Sequence, residues 1–228
     1  MSVQTLEIGE VSPQVGSAIP AQITPQSSSP GPFETMGLLI AYTRNEEIYG
    51  EGEAAEFLYK VKSGCVRTYK VLNDGRRQIA SFYLPGDVFG LTVGEQHTSS
   101  AEASVASEVI AIKRSALRSR ASVESALALL LMGLAVMELQ RTQDHALLLI
   151  KTAQERVATF LLDLAKREAS DSEVQLPMSR QEIADYLGLT IETVSRTLTL
   201  LENTAAITLP TSRRIILRNR PTLSKMNA

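Results

Sequence analysis

The sequence predicts an α+β chain with its strands first: an antiparallel β-roll, one long helix, and a smaller helical domain closed by a hairpin. Three observations carry this. Between Leu38 and Lys113 short β-like runs are broken by turn residues at spacings near ten, favouring an antiparallel sandwich or barrel over βαβ units. From Ser122 to about Ile150 apolar residues recur at threes and fours. Beyond that, Thr152-Ala153-Gln154-Glu155 and Ser179-Arg180-Gln181-Glu182 both fit the S/T-x-x-E capping box that opens a helix.

The elements follow in order. Residues 1–34 hold Pro13, Pro20, Pro25, Pro30 and Pro32 with Ser27–Ser29, and read as a flexible extension. Residues 35–121 form the β domain. Phe57–Val61 runs into Ser63-Gly64, Cys65–Val71 into Asn73-Asp74-Gly75, and Gln78–Leu84 into Pro85-Gly86-Asp87, with Val105–Ile112 as the last strand. Asn-Asp-Gly between two alternating runs is a hairpin signal. In Val66–Val71 apolar side chains alternate imperfectly with Arg67 and Lys70, so one face of that strand is expected to be wet. Cys65 on its strand reads as a small hydrophobe, and His97, beside Thr98 and Ser99, as a surface-loop residue.

Residues 122–150 carry Leu127, Leu130, Leu131, Leu134, Met137 and Leu139 on a broad apolar surface. A helix of about 28 residues spans about 42 Å, more than one small domain requires. It packs either on its own β domain or against a second chain; the second reading, a dimerisation helix, is favoured. A new helix starts at Thr152, which places a hinge and the start of a domain over 151–228 near Ile150–Lys151.

Composition bounds the function. The chain has 228 residues, 44% hydrophobic and 21% charged, which fits one large or two modest globular domains and excludes a fibrous or wholly disordered chain. Net charge is −2, but residues 175–228 hold seven Lys/Arg against four acids, so a +3 end follows a −5 body, a hint of a polyanionic partner. Cys65 is the one cysteine, so an intrachain disulfide, a cysteine-based zinc site and a four-thiolate cluster are excluded. His97 and His145 stand far apart without ligand-like spacing, and neither a metal nor another cofactor is expected. No Gly-rich phosphate loop and no Ser/His/Asp arrangement points to an enzyme. The start of the chain lacks a basic segment followed by an apolar run, and Ala126–Met137 is too short to span a bilayer; a cytoplasmic protein without a membrane partner is expected.

The C-terminal motif carries the chemistry. The capped helix from Ser179 includes Ile183-Ala184-Asp185-Tyr186-Leu187 and stops at Gly188, suited to a left-handed cap. Thr190 can cap the next helix, Ile191–Asn203, with Ile183, Leu189, Val194 and Leu198 as the internal core. Ala206–Leu209 and Arg214–Leu217 then flank Pro210-Thr211-Ser212-Arg213 as a hairpin, so the whole is a winged helix-turn-helix. The first turns of a recognition helix reach base edges in the major groove. Arg196 can donate twice to guanine, Glu192 can accept from cytosine, Ser195 can do either, and Ile191 can touch a thymine methyl. A Glu beside an Arg on an exposed helix is ordinarily a solvated ion pair, but the surrounding caps, turn and basic hairpin favour base reading. Ser179, Arg180, Thr193, Arg213 and Arg214 are candidate phosphate contacts.

Ser179–Arg196, SRQEIADYLGLTIETVSR, resembles the signature of the Crp/Fnr superfamily of bacterial transcription regulators. Phe57–Gly64 and Leu84–Gly90 are similar to strands of its cyclic-nucleotide-binding-like β-roll, and the resemblance covers about 35–218. Glu192, Ser195 and Arg196 match the E-x-x-S-R pattern of the Fnr branch, which reads TTGA-type half-sites; within that branch the chain resembles regulators of microoxic and nitrogen-fixation genes. The resemblance implies a homodimeric regulator of the activating kind on palindromic double-stranded DNA, with RNA polymerase as a second partner. Dimer symmetry sets two recognition helices about 34 Å apart.

Nucleotide receptors of the family hold phosphate with an Arg-Ser pair and ribose with a Glu after Phe-Gly. Here Ser99-Ser100-Ala101 and Phe89-Gly90-Leu91-Thr92 stand at those places, and no arginine lies between Arg77 and Arg114. A phosphate entering the roll would lose hydration without a compensating cation, so the roll is expected to be a scaffold without an effector. A non-nucleotide effector in the roll is the alternative. Fnr itself uses a four-cysteine cluster that Cys65 alone cannot build.

Overall fold

The computed structural model describes residues 31–170 and 172–225, so the extension expected over 1–34 lies mostly outside the described residues. Its last part is a correction. Pro32–Met36 is a short helix, α1, with its proline in the first turn, where the missing N–H is no loss. Phe33 is buried in one cluster with Leu58, Ile110 and Ile112. Burying a phenylalanine side chain stabilises by about 1.5–3 kcal/mol, which outweighs the loose look of a proline-rich segment.

The β-roll comprises β1 (Leu38–Tyr42), β2 (Glu47–Tyr49), β3 (Phe57–Ser63), β4 (Val66–Val71), β5 (Arg77–Tyr83), β6 (Val88–Phe89), β7 (Ser100–Ala103) and β8 (Ser107–Lys113). They make two antiparallel sheets with strand orders β1-β8-β3-β6 and β2-β7-β4-β5. The Asn-Asp-Gly tip joins β4 to β5, with Leu72 N–H donating to Arg76 O at 2.8 Å and Gly75 at φ 81°, a conformation glycine adopts without a Cβ clash. Tyr49, Tyr59, Val61, Val66, Phe89 and Val109 fill the space between the sheets.

Two expectations in this half are overturned. Arg67 does not face water: it is 2% exposed, because two carboxylates reach it from other elements. His97 is buried rather than on a loop surface, its ring stacked on Tyr49 at 3.5 Å between centroids. Cys65 is fully buried as expected, and loss of hydration pushes its thiol up to about 12.

A short helix, α2 (Arg114–Ala121), leads into α3 (Ser125–Leu148), which at 24 residues is about 36 Å long. Along α3 only Leu127 and Leu148 are buried, while Leu129, Leu130, Met132, Val136, Met137, Leu139 and Leu147 are exposed. Its most apolar 18-residue stretch has a mean hydropathy of 1.3, so α3 is long and apolar enough to cross a membrane, which the shorter run Ala126–Met137 did not suggest. It is nevertheless bound to the roll by polar contacts: Tyr83 Oη donates to Glu138 Oε1 at 2.7 Å, and Arg141 pairs with Asp87 at 2.9 Å.

After Thr152, whose side chain and Glu155 close the capping box, come α4 (Ala153–Arg167), β9 (Glu173–Gln175), α5 (Arg180–Leu187), α6 (Ile191–Asn203), β10 (Ile207–Thr208), β11 (Arg214–Leu217) and α7 (Arg220–Lys225). The expected two-stranded wing is three-stranded, in the order β10-β11-β9. Sequence reading missed β9 because three residues are too few to show alternation. Leu161, Leu164, Ile183, Leu187, Val194 and Leu201 form the core here, and the same cluster includes Ile79, Phe82 and Leu84 of the roll.

Candidate nucleic-acid interface

The helix pair is built by local rules. Ser179 Oγ accepts from Glu182 N–H at 3.2 Å, and Glu182 Oε2 accepts from Ser179 N–H at 2.7 Å, so two orphan amides at the start of α5 are satisfied. Gly188 ends α5 in the left-handed region at φ 62°. Leu189 N–H then donates to Ala184 O at 3.0 Å, and Thr190 Oγ1 accepts from Thr193 N–H at 3.2 Å to start α6. Ala184 is fully buried at the approach of the two helices, and Val194 and Leu198 are buried behind the second.

The candidate base-reading residues lie at the N-terminal end of α6 as expected. Glu192, Ser195 and Arg196 are exposed, and Ile191 is 37% exposed. Arg196 has no carboxylate within 4 Å among the described residues, so its guanidinium is not neutralised by its own helix. Glu192 is held below its ordinary value by backbone N–H at the helix start, by Thr190 and by the charge of Arg196. It is a carboxylate, an acceptor only.

The candidate phosphate contacts divide. Ser179 is half-buried and engaged in its cap. Arg180 is half-buried with Nη1 shielded and unpaired, and desolvation lowers its pKa. Thr193 places its hydroxyl 3.0 Å from that of Thr190. Arg214 is tied to Glu173 by Nε and Nη2, both at 2.7 Å, which joins β11 to β9 and lowers the Glu173 pKa. Arg213 beside it is exposed.

Sequence reading missed a second set of residues, those that hold the helix pair to the roll. Arg67 Nη1 donates to Glu182 Oε1 at 2.5 Å, and Nη2 donates to Glu102 and to Asn45 Oδ1. Arg77 reaches Asp185 at 3.4 Å. Asp87 pairs with Arg141 of α3 and with Arg167 of α4, at 2.9 and 2.6 Å. No local spacing signals a pair 115 residues apart, and Arg67 shares its strand with a second cation, Lys70, that stays exposed.

Around Phe89 the roll presents rings. Phe89 lies 5.1, 5.3 and 6.2 Å from the rings of Tyr59, Tyr83 and Tyr49. Gly90 turns at φ 84° against Tyr59, leaving a Cβ only 3.0 Å from that ring. Arg114, the first arginine after this loop in sequence, spends its guanidinium on the carbonyls of Ala55, Gly94 and Thr92. Among the described residues no group of three or more His, Cys, Asp or Glu side chains is placed to hold a metal ion.

Two domain families match: the Crp-like helix-turn-helix domain over residues 155–226 and the cyclic nucleotide-binding domain over residues 39–122. The chain is 50% identical to the nitrogen fixation regulation protein FixK of Azorhizobium caulinodans, over 93% of this chain and 84% of that protein. It is 41% identical to FixK of Rhizobium meliloti, over 87% and 91%. The solved structure of FixK2 from Bradyrhizobium japonicum superposes with a TM-score of 0.82 at 48% identity, covering 85% of this chain and 98% of that one.

Proposed function

The chain belongs to the Crp/Fnr family of DNA-binding transcription regulators, and on that footing we propose that it is a FixK-type homodimeric activator that reads a TTGA…TCAA palindrome without a small-molecule effector. The observation that carries the reading is the exposed N-terminal face of α6, where Arg196 has no carboxylate within 4 Å among the described residues. There an arginine donor and a carboxylate acceptor sit one turn apart on a helix whose caps and core are complete.

The exposed leucines and methionines of α3 support a homodimer, because an apolar stripe of that length is stable in water only against a partner. The ring-filled roll supports an effector-free state: an entering nucleotide would have to displace packed aromatic side chains, and the Arg114 guanidinium is already spent on backbone carbonyls. The protein acts in the cytoplasm, on promoters of microoxic or nitrogen-fixation genes, with RNA polymerase as its second partner.

The test is fluorescence anisotropy of verified ligand-free protein on a TTGA…TCAA duplex and a scrambled one, with and without cyclic AMP. Tight, selective binding that the nucleotide leaves unchanged is expected. Binding that appears only with the nucleotide would replace this reading by ligand gating.

Of the wing arginines we assign the phosphate contact to Arg213, since the fork of Arg214 is already filled by Glu173. Arg213→Ala is expected to weaken palindromic and scrambled DNA alike and to lower the salt slope by about one unit per half-site. A salt titration showing an unchanged slope would withdraw the assignment.

A further inference from the structure

We propose that the Arg67–Glu182 pair is a latch by which the β-roll sets the angle of the helix pair, making Arg67 and Glu182 positioning residues for the half-site spacing the dimer accepts. The inference deepens the reading above and rests on it, because spacing matters only to a palindrome reader.

Glu182 has two duties. One carboxylate oxygen caps α5 through Ser179 N–H, and the other takes Arg67 Nη1. The caps of α4 and α6 have no such second partner from the roll, for Glu155 closes on Thr152 and Thr190 on Thr193. Arg67 is anchored in turn, its other nitrogen held by Glu102 on β7 and by Asn45. Its side chain is 3% exposed and that of Glu182 is 4% exposed, so the pair sits where charge-assisted hydrogen bonds are strong and tolerate little misplacement.

A single contact would allow α5 to swivel. A second lies one turn along, where Arg77 meets Asp185 at 3.4 Å and Gln78 Nε2 donates to Tyr186 O at 3.4 Å. Across the break between α3 and α4, Asp87 holds the two helices together through Arg141 and Arg167. The helix docked on the roll is α5, and the reading face of α6 stays exposed, so this arrangement presents the reading helix rather than hiding it.

Small angles matter at this scale. A domain of this size is about 25 Å across, so a tilt of about 8° moves its far face by about 3.4 Å, one base-pair step. Whatever limits that tilt selects the spacing between half-sites.

Glu182→Gln separates the two duties, because glutamine also serves in a capping box but carries no charge for Arg67. The full-length dimer would be titrated by anisotropy on palindromes with the preferred spacer and with one base pair more or less, and on a single half-site. Wild-type protein is expected to prefer its spacer by at least about fivefold, the cost of one mismatched base pair. In Glu182→Gln that preference is expected to fall below about twofold, with single-half-site affinity and helix content unchanged.

Asp87→Asn, which keeps an acceptor for Leu84 N–H but loses both ion pairs, is expected to act in the same direction and carries the test if Glu182→Gln misfolds. Loss of affinity that is equal at every spacing, or a wild-type spacer preference in the folded variants, overturns the latch while leaving the palindrome reading in place. Wild-type protein that binds no palindrome removes both.

Discussion

Arg67→Ala is expected to destabilise the folded chain by about 3–5 kcal/mol, the cost of leaving buried carboxylates without their cation. For a chain of this length that is a fall in Tm on the order of 10 °C. The loss is large because Glu182 and Glu102 are 4% and 15% exposed and cannot regain hydration. Arg76→Ala supplies the contrast: its partner Asp74 and Arg76 itself are mostly exposed, and no measurable change is expected.

The pH dependence has a definite sign. Burial pushes the Glu182 carboxyl up, but hydrogen bonds from Ser179 and Ser104 and the charge of Arg67 outweigh it, so its pKa lies below the ordinary value. Its contribution to stability is therefore present above the ordinary carboxylate range and is lost as pH falls through the lowered value. In Arg67→Ala the cation is gone and burial favours the protonated acid, so the Tm gap to wild type should narrow as pH falls from 7 toward 5. Thermal melts at several pH values check this. A gap no larger than that of Arg76→Ala, or one that widens in acid, would contradict the structural account.

Arg196→Ala is expected to weaken discrimination far more than binding itself. A bidentate arginine–guanine contact contributes about 1–3 kcal/mol of discrimination. Two half-sites double it, so the ratio of palindromic to scrambled affinity should fall by at least about 30-fold. Non-specific affinity should change far less, because Arg196 would take only a small part in the backbone charge contacts that dominate it. The same anisotropy titrations measure both quantities. Equal losses on the two duplexes would place Arg196 on the phosphates instead of the bases.

These two arginines mark the limits of what local pattern conveys. The helix pair was legible because each of its parts is written within four residues: Ser179 with Glu182, Gly188 after Leu187, Thr190 before Ile191, and the Glu192/Ser195/Arg196 spacing. Helix geometry alone brings such residues together. The hairpin at Gly75 and the capping box at Thr152 are local in the same way. Phe33, His97 and β9 were not legible, since their burial or pairing depends on residues brought from far along the chain: Ile110, Tyr49 and Arg214.

By itself, then, the sequence determined the class of the protein, the order of its elements and which side chains stand at the start of the second helix of the pair, because capping, turn and periodicity act over one or two helical turns. The tertiary structure decided what surrounds each charge. It buried Arg67 between Glu102 and Glu182, filled the fork of Arg214 with Glu173, and left Arg196 exposed with no carboxylate within 4 Å among the described residues. The physical reason is that a guanidinium has the same chemistry everywhere. Whether it braces the fold or meets DNA depends on which carboxylates the chain brings within hydrogen-bond reach.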